Sequence, residues 1–466
     1  MSDGPSNGVA AARLAALSAA MDPDEHQRVE ALLARSGVPW VTETYGTGAP
    51  GDANLADLGT AERDEARALL AERASLQWAP PREISWPRVL SGECLANRLF
   101  TRRALIHKGE LARALQCWRP WSAVAADGGG GGVDKDISDR PCPETHCVQD
   151  AEDVEALRAK RGGAWVVKPV ASSNANKIVF LSEGDALPPG MFEEEEGDVV
   201  RRDGGGGRAP LSEGEHGRKV DADVRGGRLR VEEWVMQRHI DAPLLTPDGR
   251  KFHIRAFLLV SGRVRAYLHD DCFALVASRP YVPLGPAKNY VSQQHDPYVH
   301  LTNRSVAMVD PERGGGSGGG EAAAGQGDDC LRPLADVLPA NGPCGLAPIL
   351  SRMRAAAGAV VAGMHHDFRR FCPLANTFEV FGLDFLVAAT PAGRVYLLEA
   401  NACPRLFLSR NTLEDALPLL PAPLGGQGGG EGGTRTGAGA GADPSSPVGG
   451  QKGPERAGGW QRVFPL

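Results

Sequence analysis

Two apolar runs, residues 378–388 (FEVFGLDFLVA) and 395–399 (VYLLE), stand on either side of the turn sequence TPAG. Proline and glycine at such a junction favour a hairpin, and a hairpin fixes the register of everything built on it. With the turn centred between Pro391 and Ala392, Asp384 faces Glu399 and Gly382 faces Asn401. Period-2 alternation then sets Gly382, Asp384, Val395, Leu397, Glu399 and Asn401 on one face. Two opposed carboxylates repel unless a cation or a shared proton lies between them. With an amide oxygen beside them and a glycine leaving room, Asp384, Glu399 and Asn401 make an oxygen cage suited to Mg²⁺. The competing reading is a hydrated pair of acids at a strand edge, and a bulge would shift the register.

Mg²⁺ held by oxygen ligands usually accompanies phosphate, and the chain offers cations to match. In GRKFHIRAFLLV, Lys251, His253 and Arg255 alternate onto one face while Phe252 and Ile254 take the other. Beyond Arg255 the first face turns apolar with Phe257 and Leu259, so a cationic strand end sits above a buried body. Lys168 ends a second apolar run, AWVVKP. Further strand-like runs cover 164–168, 178–181, 229–235, 251–260, 263–269 and 274–277, and a helix is expected over 346–371. Strands with polar residues at their ends and helices between them predict an α+β fold with mixed and antiparallel sheets.

Glycine bounds how much of the chain can share that core. There are 59 glycines in 466 residues, with runs at 128–132, 204–207 and 314–320 and a tail from about 425 to 459. Such runs bury too little apolar surface to offset their ordering entropy. Residues 184–228 and 311–345 therefore read as low-complexity insertions, and 421–466 as a disordered tail removable from about Gly425. Residues 1–75 read as a sparse helical N-terminal region, partly disordered, and 76–420 as the main domain. The segment 97–118 (NRLFTRRALIHKGELARALQCW) reads as a basic amphipathic helical segment.

The net charge of −7 argues against a nucleic-acid binder. No run of about 18 apolar residues predicts a membrane span. Nine cysteines without a CxxC pair fit reduced thiols in the cytosol. Cys142, His146 and Cys147 lack the second ligand pair a structural zinc site needs.

The segments WVVKPVASS, GRKFHIRAFLLV, YVHLTNRSV, FEVFGLDFLV and YLLEANACPRL, in this order, resemble the tubulin–tyrosine ligase family. The resemblance covers about residues 76–411, and KFHIR with LSGECLANRLFTRRALIHK looks most like the fungal and algal branch. It implies an ATP-grasp fold that uses ATP and Mg²⁺. It also implies roles. Asp384, Glu399 and Asn401 match the Mg²⁺ ligands. Lys168 matches a lysine reaching the α/β-phosphates. Glu232, Glu233, Trp234 and Val235 match a hinge whose backbone meets adenine. Lys251 and Arg255 match catalytic cations at the γ-phosphate and acyl phosphate, and Thr302 and Asn303 match a nucleotide-contacting pair.

The chain departs from the family's pattern at three places. The loop after Lys168-Pro169 reads SSNANK where glycines are usual, His253 replaces an acid, and Leu275 stands where tubulin-modifying members place a carboxylate-binding arginine. The implied activity is a cytoplasmic, ATP-dependent ligase that adds an amino acid to a protein. A tubulin C-terminal tail, with a cytoskeletal association, is one candidate acceptor, and Arg98, Arg102, Arg103, Lys108 and Arg255 are candidate bases for an acidic one. The alternatives are a ligase for a small peptide or metabolite and a nucleotide-binding module without catalysis.

Overall fold

The computed structural model describes residues 13–18, 23–36, 38–45, 73–116, 140–170, 177–188, 191–192, 233–284, 296–313, 329–402, 404, 412–421 and 455–464. The runs at 128–132, 204–207 and 314–320 lie outside these residues, as does most of the glycine-rich tail.

The N-terminal unit begins with β1 (Arg13–Ser18), α1 (Pro23–Arg35) and β2 (Trp40–Tyr45). Helix α1 carries Asp24 and Glu25 in its first turn, where the helix dipole favours acids, and buries Val29, Leu32 and Leu33. The strands pair in parallel with β3 (Leu76–Trp78) and β4 (Leu95–Ala96), in the order β2-β1-β3-β4. This corrects the helical reading at residues 13–18 and 40–45, while α1 is helical as expected. RLAALS has helix-forming composition, yet Ala15, Ala16 and Leu17 are fully buried as a strand within a βαβ unit. The expected boundary at residue 75 also dissolves, because β3 and β4 belong to this sheet.

Within the basic segment expected to be helical, Arg103–Ile106 and α2 (Lys108–Gln116) are helices, separated at His107. A second sheet follows, from β5 (Thr145–Val148), α3 (Ala151–Arg161), β6 (Trp165–Pro169), β7 (Val179–Leu181) and β8 (Trp234–Arg238). It is antiparallel in the order β5-β8-β6-β7 and packs Trp165, Val167, Trp234 and Met236 against Val154 of α3. Asp150 caps α3 by accepting from the Asp153 N–H.

The large sheet is built on β9 (Arg250–Ser261). On one flank, β10 (Arg265–His269) pairs with its second half and β11 (Phe273–Pro280) with its first half. Beyond β11 lies β12 (Leu331–Pro333). After α4 (Leu346–His365) come β13 (Phe378–Val387), which takes the other flank of β9, and β14 (Val395–Asn401). Ile254, Ala256, Leu258 and Val260 of β9 pack with α4, whereas Phe257 and Leu259 pack with Leu17, Leu32 and Trp78 of the N-terminal unit. Residues 331–337 are therefore part of the body and not of an insertion: Leu334 and Val337 join the core beneath β11.

The tail also departs from expectation. β15 (Arg456–Ala457) and β16 (Trp460–Phe464) form a hairpin, and β16 pairs antiparallel with β10. Trp460 is fully buried and donates its Nε1–H to the Thr412 carbonyl at 2.9 Å. Opposite Val463, α4 presents Gly358, where a Cβ would lie 2.5 Å from the Val463 carbonyl oxygen. An interior helical glycine ordinarily costs about 1 kcal/mol relative to alanine, so its place here reflects the close approach of β16. Gly358→Ala is expected to lower stability by about 1–3 kcal/mol despite the better helix former, because a backbone must move. Denaturant titration checks this, and an unchanged or raised midpoint would refute the packing argument.

Candidate active site

A cleft opens where the four-stranded sheet faces β9, β13 and β14. Its geometry follows from register. Asp384 pairs with Arg255 across β13 and β9, and with Glu399 across β13 and β14. Gly382 pairs with Asn401 as the turn position requires. A Cβ on Gly382 would sit 3.1 Å from Arg255 Cδ, so glycine lets the arginine stem pass.

A β-bulge then shifts the pairing between Asp384 and Phe385, so that Phe385 faces Leu397 and Leu398 is the extra residue. This overturns part of the expected alternation. Val395 and Leu397 turn into the core, while Glu399 stays on the cleft with Leu398 beside it.

The charges interlock. Asp384 accepts from Arg255 Nε at 2.5 Å and Nη2 at 3.0 Å, and from Asn401 Nδ2 at 3.0 Å. Burial alone would raise the Asp384 carboxyl; Arg255 and His253 overcome this and hold it below the usual range. Glu399 Oε2 lies 3.7 Å from Lys108 Nζ and 3.9 Å from Lys168 Nζ. Lys168, lowered by burial, donates to Gln237 Oε1 at 3.2 Å, and Gln237 donates onward to Thr145 Oγ1 at 3.0 Å. Lys251 Nζ stands 5.6 Å from the Phe180 ring centroid, and burial pushes it down to about 8. His253 Nδ1 meets Thr302 Oγ1 at 2.5 Å, and its Nε2 lies 3.7 Å from Asp384 Oδ1. Four cationic side chains thus face two carboxylates, an excess that suits a polyanionic ligand.

Lys168, Lys251, Thr302, Asn303, Asp384 and Glu399 all line the cleft, with Arg255 and Asn401 held against Asp384. Of the expected hinge, the described residues Glu233, Trp234 and Val235 are not in the cleft lining. Glu232 lies outside the described residues. Glu233 is half exposed, and Trp234 and Val235 are buried inside β8. From this segment Gln237, Arg238, His239 and Ile240 reach the cleft, because the chain leaves β8 only at Arg238. The phosphate-loop residues 171–176 lie outside the described residues.

Two of the candidate acceptor-binding bases are committed elsewhere. Arg102 hydrogen-bonds the fully buried Glu379, and Arg98 lies 3.8 Å from the same carboxylate, whose pKa burial raises. Arg103 stands 3.6 Å from Glu110. Of the helical segment, Lys108 alone among these reaches the cleft; sequence reasoning had only its charge to go on. Leu275 pairs with His253, and Arg279 is held by Asp296 at 2.9 Å, Asp310 at 2.7 Å and Glu312 at 3.0 Å.

The donor set fits Mg²⁺. Asp384, Glu399 and Asn401 stand on paired positions of β13 and β14 and offer oxygen donors with no thiol, as a hard cation prefers. Among the described residues no three His, Cys, Asp or Glu side chains form a group that could hold a metal ion. Among those residues, too, no helix is long and apolar enough to cross a membrane.

A small antiparallel sheet stands beside a larger one, with cations from both and acids from the larger, the α+β arrangement expected of an ATP-grasp fold. Residues 140–417 match the model of the tubulin-tyrosine ligase family, more than half of the chain, and the protein belongs to that family. It is 24% identical over 351 residues to the Schizosaccharomyces pombe protein named "Probable tubulin--tyrosine ligase C12B10.04", covering 72% of this chain and 77% of that one. With Saccharomyces cerevisiae "Probable tubulin--tyrosine ligase PBY1" it shares 26% identity over 245 residues, 52% of this chain but only 30% of that protein's length. These yeast relatives agree with the resemblance to the fungal branch. Mouse "Probable tubulin polyglutamylase TTLL9" is 30% identical over 173 residues, 34% of this chain and 33% of that one. Among solved structures, the C-terminal domain of K. lactis Pby1, described as an ATP-grasp enzyme interacting with the mRNA decapping enzyme Dcp2, aligns over 90% of this chain and 97% of that one, at 17% identity and a TM-score of 0.49.

Proposed function

We propose that the cleft binds ATP with Mg²⁺ and that the protein is a ligase joining a carboxylate to an amine. The observation that carries this reading is the meeting of Lys168, Lys251 and Arg255 with Asp384, Glu399 and Asn401 in one cleft. Asp384, Glu399 and Asn401 would hold Mg²⁺, which supplies charge neutralisation between the phosphates when bound. Lys168 and Lys251 would hold the phosphate chain. Arg255 would stabilise charge as the γ-phosphoryl group passes to an acceptor carboxylate, giving an acyl phosphate and ADP. An incoming amine displaces phosphate from the acyl carbon and loses a proton, leaving an amide.

The nucleophile in this reading is an amino acid, and the acceptor is a protein in the cytosol. A tubulin tail is one candidate, with the cytoskeletal association that follows from it. Leu275 lacks the charge-assisted bond an arginine would give a carboxylate, a contact worth about 1.5–3 kcal/mol. Arg279 cannot replace it, being held by three acids. Weak or no transfer of tyrosine or glutamate onto α-tubulin tail peptides is therefore expected, with ATP binding retained. The test uses labelled amino acids and tail peptides, with ADP release followed in parallel. Robust transfer would overturn the expectation for Leu275. Absence of ADP release with every amino acid and acceptor tried would favour a nucleotide-binding module instead.

Lys251 gives a pH signature. Its folded pKa is depressed to about 8, so the ammonium that attracts phosphate is present below that pH and lost above it. ATP binding above pH 8 must then take up one proton, and affinity should fall by up to about tenfold per pH unit. Calorimetry in buffers of different ionisation enthalpy measures that proton directly. No uptake between pH 8 and 9.5 would separate Lys251 from the phosphates.

A further inference from the structure

Arg279 stands near the end of β11 and is engaged on every side. Its Nε and Nη2 donate to the two oxygens of Asp310 at 3.1 and 2.7 Å. Its Nη1 donates to Asp296 Oδ2 at 2.9 Å and lies 3.0 Å from Glu312 Oε1. The guanidinium also covers the Tyr298 ring, 4.8 Å from its centroid. Asp310 is buried, and its oxygens accept two further hydrogen bonds, from Ser278 Oγ at 2.6 Å and from the Glu312 N–H at 3.0 Å. One side chain of β11 thus joins an acid ahead of the cleft residues Thr302 and Asn303 to two acids behind them.

The segment tied in this way does not order itself. Its two helices, Pro297–His300 and Arg304–Ala307, are single turns, too short to persist alone. Val299 and Ala307 give it a small apolar footing, but on the return limb Met308 and Val309 are 69% and 68% exposed. Yet Thr302 Oγ1 meets His253 Nδ1 at 2.5 Å, a contact that needs the segment accurately placed. A planar guanidinium with donors in a fixed fork can bind one carboxylate through two hydrogen bonds and still reach a second; a lysine offers only a point charge.

We propose that Arg279 is a positioning residue for nucleotide binding, a clasp that joins Asp296 to Asp310 and so holds Thr302 and Asn303 at the cleft. The proposal rests on the nucleotide reading above. Arg279 acts through the segment and not on the ligand, because its fork is filled by the three acids. Its effect falls on the fraction of molecules in which the segment is in place, and apparent affinity scales with that fraction.

The experiment measures ATP affinity of the full chain by calorimetry, with thermal melting in parallel. Arg279→Leu is expected to weaken ATP binding about tenfold, as when the segment is in place about one time in ten. The same substitution in a chain already carrying Thr302→Val and Asn303→Ala should cost less than about twofold, because the side chains it positions are gone. General destabilisation would weaken binding alike in both backgrounds, so the cycle separates positioning from a purely structural role. Asp296→Asn keeps a cap for the Tyr298 N–H and removes the charge facing Arg279. It should show part of the same loss, and it takes the leucine variant's place in the cycle if that variant does not fold. Unchanged affinity in the first background, or an equal loss in both, would overturn the clasp and leave the ATP reading intact. Failure of the wild-type chain to bind ATP would overturn both.

Discussion

Glu399→Gln is expected to lower ATP turnover by at least about a hundredfold, the scale on which single electrostatic contacts act in transition states. The substitution keeps volume and hydrogen-bonding oxygen but removes the charge that opposes Asp384 across the hairpin. The fold should tolerate it. Glu399 is partly exposed, and its ion pairs with Lys108 and Lys168 are long, at 3.7 and 3.9 Å. ATP should still bind, because removing an acid leaves the phosphates facing Lys108, Lys168, Lys251 and Arg255 with one carboxylate fewer. The informative comparison is turnover against Mg²⁺ concentration. A variant that hydrolyses ATP at the wild-type rate, with the same Mg²⁺ dependence, would remove Glu399 from the metal set.

Trp460→Ala should cost about 3–5 kcal/mol, the range for emptying a large aromatic site in a core. Trp460 is fully buried between β10 and the N-terminal unit, its ring edge-on to His269 at 4.8 Å, and its Nε1–H bonded to the Thr412 carbonyl. Around it Gly459 N–H donates to Asp415 at 2.9 Å, and Arg456 pairs with Asp270 at 3.1 Å. Cutting the chain before residue 455 should destabilise at least as much, since Val463 leaves the other core with it. Melting temperature reads both variants. If either melts with the wild-type chain, the hairpin contributes no stability and the tail is dispensable after all.

The site was legible in the sequence wherever side-chain periodicity and turn chemistry acted together. TPAG centred the hairpin, and the pairs Asp384–Glu399 and Gly382–Asn401 followed. The bulge at Leu398 was not legible, because nothing in VYLLE marks an extra residue; it moved Val395 and Leu397 to the core face. The cationic face of β9 read correctly down to its apolar continuation at Phe257 and Leu259. That Gln237, Arg238, His239 and Ile240 line the cleft while Trp234 and Val235 are buried within β8 was not legible, because nothing in the sequence marks where the chain leaves the strand.

In the N-terminal unit the alanine-rich composition suggested a sparse helical region and did not reveal that RLAALS is a buried strand. The tail failed for a related reason. WQRVF is a five-residue strand in a glycine-rich stretch, and its buried positions, Trp460 and Val463, fall three apart because the pairing with β10 is irregular. Neither periodicity nor composition could reveal it.

The pairing of β16 with β10 joins segments nearly two hundred positions apart, whereas β13 and β14 meet across a short turn. Each doubling of a closed loop costs only about 0.6 kcal/mol in chain entropy, so such a contact is affordable at equilibrium. Its effect falls on rates, because contacts distant in sequence form slowly. The local hairpins should therefore assemble first, and β16 should be the last strand to enter the large sheet. Until it does, the flank of β10 is an open edge, available to any extended segment that arrives sooner. Refolding followed by the fluorescence of Trp460, in a chain whose other tryptophans are replaced, should show a phase slower than the recovery of β-sheet signal.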